Sequence, residues 1–153
     1  MTLKYKQILA AVDGSKEAEF AFRKSVQIAL RNNATLNLLY VVDAPTYRTA
    51  EVFDPAIERD AVEFGEELLE NYRKEAETAG VLNVNTVVTA GSPKFVISRE
   101  FPKKVGADLI VCGATGLNAI QRFFIGSVTN YIVRNSSCDV LVVRTEEHAE
   151  VNA

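Results

Sequence analysis

Short apolar runs, each closed by a turn signal, alternate along this chain with longer stretches whose apolar residues recur at helical spacing. No other feature constrains the fold as much. Strands separated by helices must be joined in parallel, with the helices laid over the faces of the sheet. The first run, ILAAV at residues 8–12, closes with Asp13-Gly14-Ser15. Ser15 is a helix-capping residue, Glu17 and Glu19 suit a positive helix start, and Ala18, Phe22, Ser25, Val26 and Ala29 share one helical face. Asn32 and Asn33 end that helix. TLNLLYVV at residues 35–42 reads as the second strand. After a mixed segment, residues 44–54, the spacing of Ile57, Ala61, Phe64, Leu68 and Tyr72 predicts the inner face of a long helix that stops at Gly80.

Leu82, Val84, Thr86 and Val88 alternate with Asn83 and Asn85 where the alternation begins, the pattern of a half-exposed strand at a sheet edge. Ser92-Pro93 starts a third helix carrying Phe95, Val96, Ile97 and Phe101. Pro102 has no N–H to donate, so it shortens or kinks that helix. ADLIVC at residues 107–112 is the fourth strand, closed by Gly113. Residues 127–135 read as a helix with Val128, Tyr131 and Ile132 on one side. Val140, Leu141, Val142 and Val143 form the fifth strand, and the tail from Thr145 is polar. The expectation is an α/β fold with five parallel strands and helices on both faces. The 153 residues are read as one domain, 1–153, with a core at about 6–144 and a polar tail at 145–153.

Composition narrows the function classes. A net charge of −3 argues against nucleic acid as the main partner, which needs a positive surface. The adjacent Lys103 and Lys104 read as a solvated helix end. The N-terminal residues hold no signal-peptide h-region, and no apolar run is long enough for a bilayer, so a cytoplasmic protein without a membrane partner is expected. Cys112 and Cys138 lie in or beside apolar runs without C-x-x-C spacing and read as small core hydrophobes.

In open parallel sheets, ligands bind beyond the carboxyl ends of the strands, where strand order reverses. Two loops stand out for that role. Asp13 can accept hydrogen bonds from a ribose or base, or help hold a metal beside phosphates, or serve only as a turn residue. Gly113, Gly116 and Gly126 are three of the chain's eight glycines. They permit close backbone approach to a ligand and positive φ. Gly126 also stands just before a helix start, whose unpaired amides carry the positive end of the helix dipole. With Ser127 and Thr129 as hydroxyl donors, these residues make a phosphate site from backbone. The alternative is that the glycines only shape a loop. Neither a Walker sequence nor G-x-G-x-x-G is present, and Arg122 either reaches phosphates or is solvated. The only histidine, His148, falls in the tail, so no Ser-His-Asp or Cys-His arrangement is credible.

Gly113-x-x-Gly116, nine residues, then Gly126-Ser127 resembles the nucleotide motif of the universal stress protein family. Ala11-Val12-Asp13-Gly14-Ser15 resembles that family's first loop, and CDVLVVR at residues 138–144 its final strand. The resemblance implies a Rossmann-like three-layer α/β/α sandwich whose five parallel strands are ordered 3-2-1-4-5. It also implies binding of ATP, with AMP or another adenine nucleotide as the alternative, and a divalent cation such as Mg or Mn carried with it. Matched by position, the implied site takes in Ala11, with Val12 and Val41 near the adenine and Asp13 near base or ribose. Gly113, Thr115 and Gly116 would follow the ribose and phosphates, and Gly126, Ser127, Val128 and Thr129 would hold the phosphates. Ala114 and Thr115 stand where other members often carry Ser, Arg or His, which shifts the grip toward backbone.

The function so implied is an ATP-binding, nucleotide-responsive regulator in stress response. Two alternatives stay open: a slow ATPase or nucleotidyl-transfer enzyme on the same scaffold, and a dimeric interaction module that binds no nucleotide. The last strand, Val140 to Val143, is apolar on both faces and would lie at a sheet edge. Such an edge aggregates unless covered, either by the same strand of a second copy in a two-fold homodimer or by a helix of the same chain. The resemblance implies the homodimer.

Overall fold

The computed structural model describes residues 3–44, 54–115 and 125–145. Within them lie β1 (Gln7–Val12), α1 (Lys16–Asn32), β2 (Thr35–Asp43), α2 (Pro55–Ala79), β3 (Val84–Gly91), β4 (Leu109–Gly113), α4 (Ser127–Asn135) and β5 (Asp139–Val143). Between β3 and β4, α3 runs from Pro93–Phe95 through a π-helical turn, Val96–Glu100, to Phe101–Val105. All strand pairs are parallel and the order is β3-β2-β1-β4-β5, as expected.

The period of two along the central strands divides the interior into two apolar layers. Ile8, Ala10 and Val12 of β1 join Leu36 and Leu38 of β2 under α1 and α2, where Phe22 and Leu69 meet them. Leu9, Leu39 and Ile110 point to the opposite face and pack with Val96, Ile97 and Phe101 of α3 and Ile132 of α4. The rings of Phe22 and Tyr72 stack 4.2 Å apart and join α1 to α2. One polar side chain crosses this interior with its needs met. Buried Asn37 donates to Gln7 Oε1 at 3.1 Å and to the Ile8 carbonyl at 3.2 Å, while Asn85 donates to Asn37 Oδ1 at 3.1 Å. A slip of one residue would orphan this amide ladder, so it holds β1, β2 and β3 in register.

Helix ends follow the local chemistry. Ser15 Oγ accepts from the Ala18 amide at 3.2 Å, and both Asn33 (φ 52°) and Gly80 (φ 114°) close their helices in the left-handed conformation. The irregularity expected at Pro102 is the π turn. The Phe101 amide donates five residues back, to Val96, and the helix passes through Pro102 without ending. β3 is the expected half-exposed edge strand, although Leu82 precedes it and is 79% exposed.

The inner face of α2 differs from the expectation. Its buried residues are Gly65, Leu69 and Ala76, with Leu68 and Tyr72 half-buried, whereas Ile57 and Phe64 are each 51% exposed. The stripe is turned by about one residue because Gly65 leaves room for the ring of Tyr40, which a side chain there would overlap.

Candidate functional site

β1 and β4 are neighbours at the centre of the sheet. The helix after β1 covers one face and the helix after β4 covers the other, so the chain parts at their carboxyl ends. A cleft of about 500 Å³ opens there, a volume within the range of small-molecule sites. Of the residues named from the sequence, Ala11, Val12, Asp13, Val41, Gly113, Thr115, Gly126, Ser127, Val128 and Thr129 all border it. Gly116, like Arg122, lies outside the described residues.

The start of α4 forms one wall. Gly126 is its N-cap and has no side chain with which to cap, and the first intrahelical bond runs from the Asn130 amide to the Gly126 carbonyl at 2.9 Å. The amides of Ser127, Val128 and Thr129 therefore have no acceptor within the helix, and the dipole adds partial positive charge where they stand. Thr115 adds a hydroxyl. The residue is 4% exposed, and its Oγ1 has no hydrogen-bond partner among the described residues. A buried polar atom of that kind is uncommon and suits a ligand acceptor or donor.

Three expectations need correcting. Gly113 and Gly126 do not adopt positive φ; among the described residues the glycines that do are Gly14, Gly80 and Gly106. Gly113 is small because α1 presses on the end of β4: a Cβ there would lie 2.9 Å from the backbone carbon and Cβ of Glu17. The Gly126 amide is already used, donating to the Ala114 carbonyl at 2.9 Å, while a Cβ at Gly126 would meet nothing closer than 3.6 Å among the described residues. The third concerns Thr129, whose hydroxyl donates to the Gly113 carbonyl at 2.8 Å and so ties α4 to β4.

Asp13 is a turn residue, as one of the readings open for it had it. Its Oδ1 accepts from the Ser15 amide at 2.9 Å in a local turn, and the half-buried residue also borders the cleft. Cys112 also borders the cleft, and burial pushes its thiol up to about 12, so it is protonated and unreactive near neutrality. Burial, with Asp139 nearby, also raises the thiol of Cys138.

Leu39, Tyr40, Val42 and Asp43 of β2, and Pro93 and Ile97 of α3, border the cleft without having been picked out from the sequence. For β2 a signal existed. Val12 at the end of β1 is level with Tyr40, so the longer second strand overhangs the first by the residues from Val41 to Asp43. For Ile97 there was none, because it reads as ordinary helix core. The described lining residues carry two carboxylates, Asp13 and Asp43, and no cationic side chain, so an anion here would meet backbone donors.

This strand order, with its cleft at the reversal, defines a Rossmann-like α/β fold. Residues 4–144 match the profile of the universal stress protein family, and the chain belongs to that family. It is 51% identical over 148 residues to a Staphylococcus haemolyticus protein carrying the universal stress protein name, covering 97% of this chain and 90% of the relative. The solved universal stress protein UspA from Lactobacillus plantarum is 34% identical, with TM-score 0.78, over 94% of this chain and 100% of its own. A universal stress protein solved in complex with cAMP is 27% identical, with TM-score 0.67, over 92% of this chain and 98% of its own. No helix among the described residues is long and apolar enough to cross a membrane.

Proposed function

We propose that the cleft binds an adenine nucleotide, with ATP as the physiological ligand, and that the protein acts in the cytoplasm as a nucleotide-responsive regulator in stress response. One observation carries this reading: three helix-start amides with no acceptor inside the helix, and a buried Thr115 hydroxyl with no hydrogen-bond partner among the described residues, border the same cleft. The residues fit the ligand. Ala11, Val12 and Val41 line the cleft and would supply apolar wall for the base, and Asp13, also on the lining, would accept from a base or ribose hydroxyl. Gly113, Thr115 and Gly116 would follow ribose and phosphates, and Ser127, Val128 and Thr129 would hold the phosphates through backbone, with Gly126 setting the helix start. The related protein solved with cAMP supports an adenine nucleotide on this fold.

The nucleotide would bring the negative charge that these donors select. A Mg or Mn ion would arrive with the phosphates, since no group of three or more His, Cys, Asp or Glu among the described residues could hold a metal by itself. Regulation then requires that ATP favour one conformation or assembly over another, because a ligand shifts an equilibrium only by its differential affinity. The assembly is proposed to be a two-fold dimer through β5. That strand lies at the sheet edge, and Val140, Leu141 and Val142 remain partly exposed there beside buried Val143.

Calorimetric titration with ATP, AMP and cAMP, each with and without Mg, tests the proposal. Saturable heat for at least one nucleotide is expected, with ATP the tightest when Mg is present. No heat for any of them at high protein concentration overturns it. Sedimentation equilibrium tests the assembly separately: twice the chain mass is expected, and a monomer at every concentration would remove the β5 dimer.

A further inference from the structure

Phe64 is a large apolar ring left 51% exposed, and core packing does not account for its place. It lies at a boundary in α2. From Gly65 onward the helix is anchored by buried positions, while no residue from Pro55 to Phe64 is buried. The ring rests on the loop after β1: a Cβ built on Gly14 would lie 3.1 Å from Phe64 Cζ and 3.2 Å from Cε1. It also meets Tyr40 edge to face, with centroids 5.9 Å apart and planes at 60°. Tyr40 borders the cleft, and its own ring lies against Gly65.

The loop beneath Phe64 has several tasks. Asp13 borders the cleft and turns the chain by accepting from the Ser15 amide. Ser15 caps α1. Gly14 joins them at φ +86°, a conformation that disfavours any side chain, so the joint cannot anchor itself by packing outward. An aromatic ring laid on the glycine from outside supplies that restraint. The geometry points to Phe64 as a positioning residue, which holds the Asp13-Gly14-Ser15 loop in its ligand-ready shape from the exposed half of α2. The consequence for nucleotide affinity rests on the function proposed above; the consequence for the loop does not.

The two are separated by measuring amide exchange first in the ligand-free protein. In Phe64→Ala, exchange at Ser15 and Ala18 should quicken about tenfold, the scale an aromatic contact of this kind supports. The amides of Leu38 and Leu39 in β2 should keep their wild-type rates, and so should every amide of Phe64→Tyr, which keeps the ring. Ile57→Ala removes an equally exposed apolar side chain and should leave Ser15 and Ala18 unchanged. Unchanged exchange at Ser15 and Ala18 in Phe64→Ala, or equal acceleration in β2, overturns the assignment whether or not nucleotide binds. Where wild type binds ATP, Phe64→Ala should weaken the affinity several-fold and Phe64→Tyr should restore it. Equal affinity in wild type and Phe64→Ala overturns the positioning role while leaving the nucleotide site standing.

Discussion

Thr129 donates its hydroxyl to the carbonyl of Gly113 at 2.8 Å, joining the first turn of α4 to the last residue of β4. Both residues are buried, and both border the cleft. This bond fixes the start of α4, with its helix-start amides, to the strand. Thr129→Val keeps the shape and removes the donor, leaving a buried carbonyl short of a partner. A loss of about 1–3 kcal/mol is expected in urea unfolding. Thr129→Ser, which retains the hydroxyl, should recover most of it. Equal losses in the two variants would show that the methyl packing, and not the hydrogen bond, is what matters.

Gly113 and Gly126 should respond differently to alanine. At Gly113 the new methyl meets the backbone of α1 at Glu17, which cannot move without shifting the helix start, and destabilisation of about 1–3 kcal/mol is expected. At Gly126, where the nearest atoms among the described residues are 3.6 Å away and φ is −60°, alanine should change stability by less than about 0.5 kcal/mol. Paired denaturation curves decide the matter, and a Gly126→Ala as unstable as Gly113→Ala would contradict this account of the two glycines. Gly126→Val, bulkier and facing the cleft, should fold and weaken ATP binding.

How much of this was readable beforehand depended on range. Ser15, Asn33 and Gly80 act within a few residues of themselves, and each sits where capping chemistry put it. The stripe on α2 had the right period and the wrong phase, because the aromatic that fills the space at Gly65 comes from β2. The spacing of the glycines located the cleft wall. It did not reveal that Gly113 answers to α1 or that the Gly126 amide is spent on Ala114, since both depend on elements distant in sequence. Thr129 looked like a free hydroxyl for the same reason. Pro102 announced an irregularity but not its form, a π turn whose Val96 and Ile97 pack against the sheet.

Cys112 makes stability depend on pH in the alkaline range. Burial raises its thiol from 9.0 in the unfolded chain to about 12 in the fold, so the unfolded state loses its proton first. Its contribution is fully present below about pH 9 and is lost as pH rises toward 12. Unfolding under reducing conditions at about pH 8 and about pH 10 should show wild type losing stability over the interval, and Cys112→Ala losing less. Tyr5 and Tyr72, also raised, act with the same sign and remain in both proteins. Identical slopes in the two proteins would remove this role for Cys112.

The central claim is that an adenine nucleotide sits against the start of α4. Amide-resolved NMR titration with ATP and Mg tests it most directly. The account predicts saturable shifts at Ser127, Val128, Thr129 and Thr115, with smaller ones at Val12, Asp13 and Val41. Saturable binding that leaves Ser127, Val128 and Thr129 unmoved, or no change anywhere in the spectrum, would contradict it.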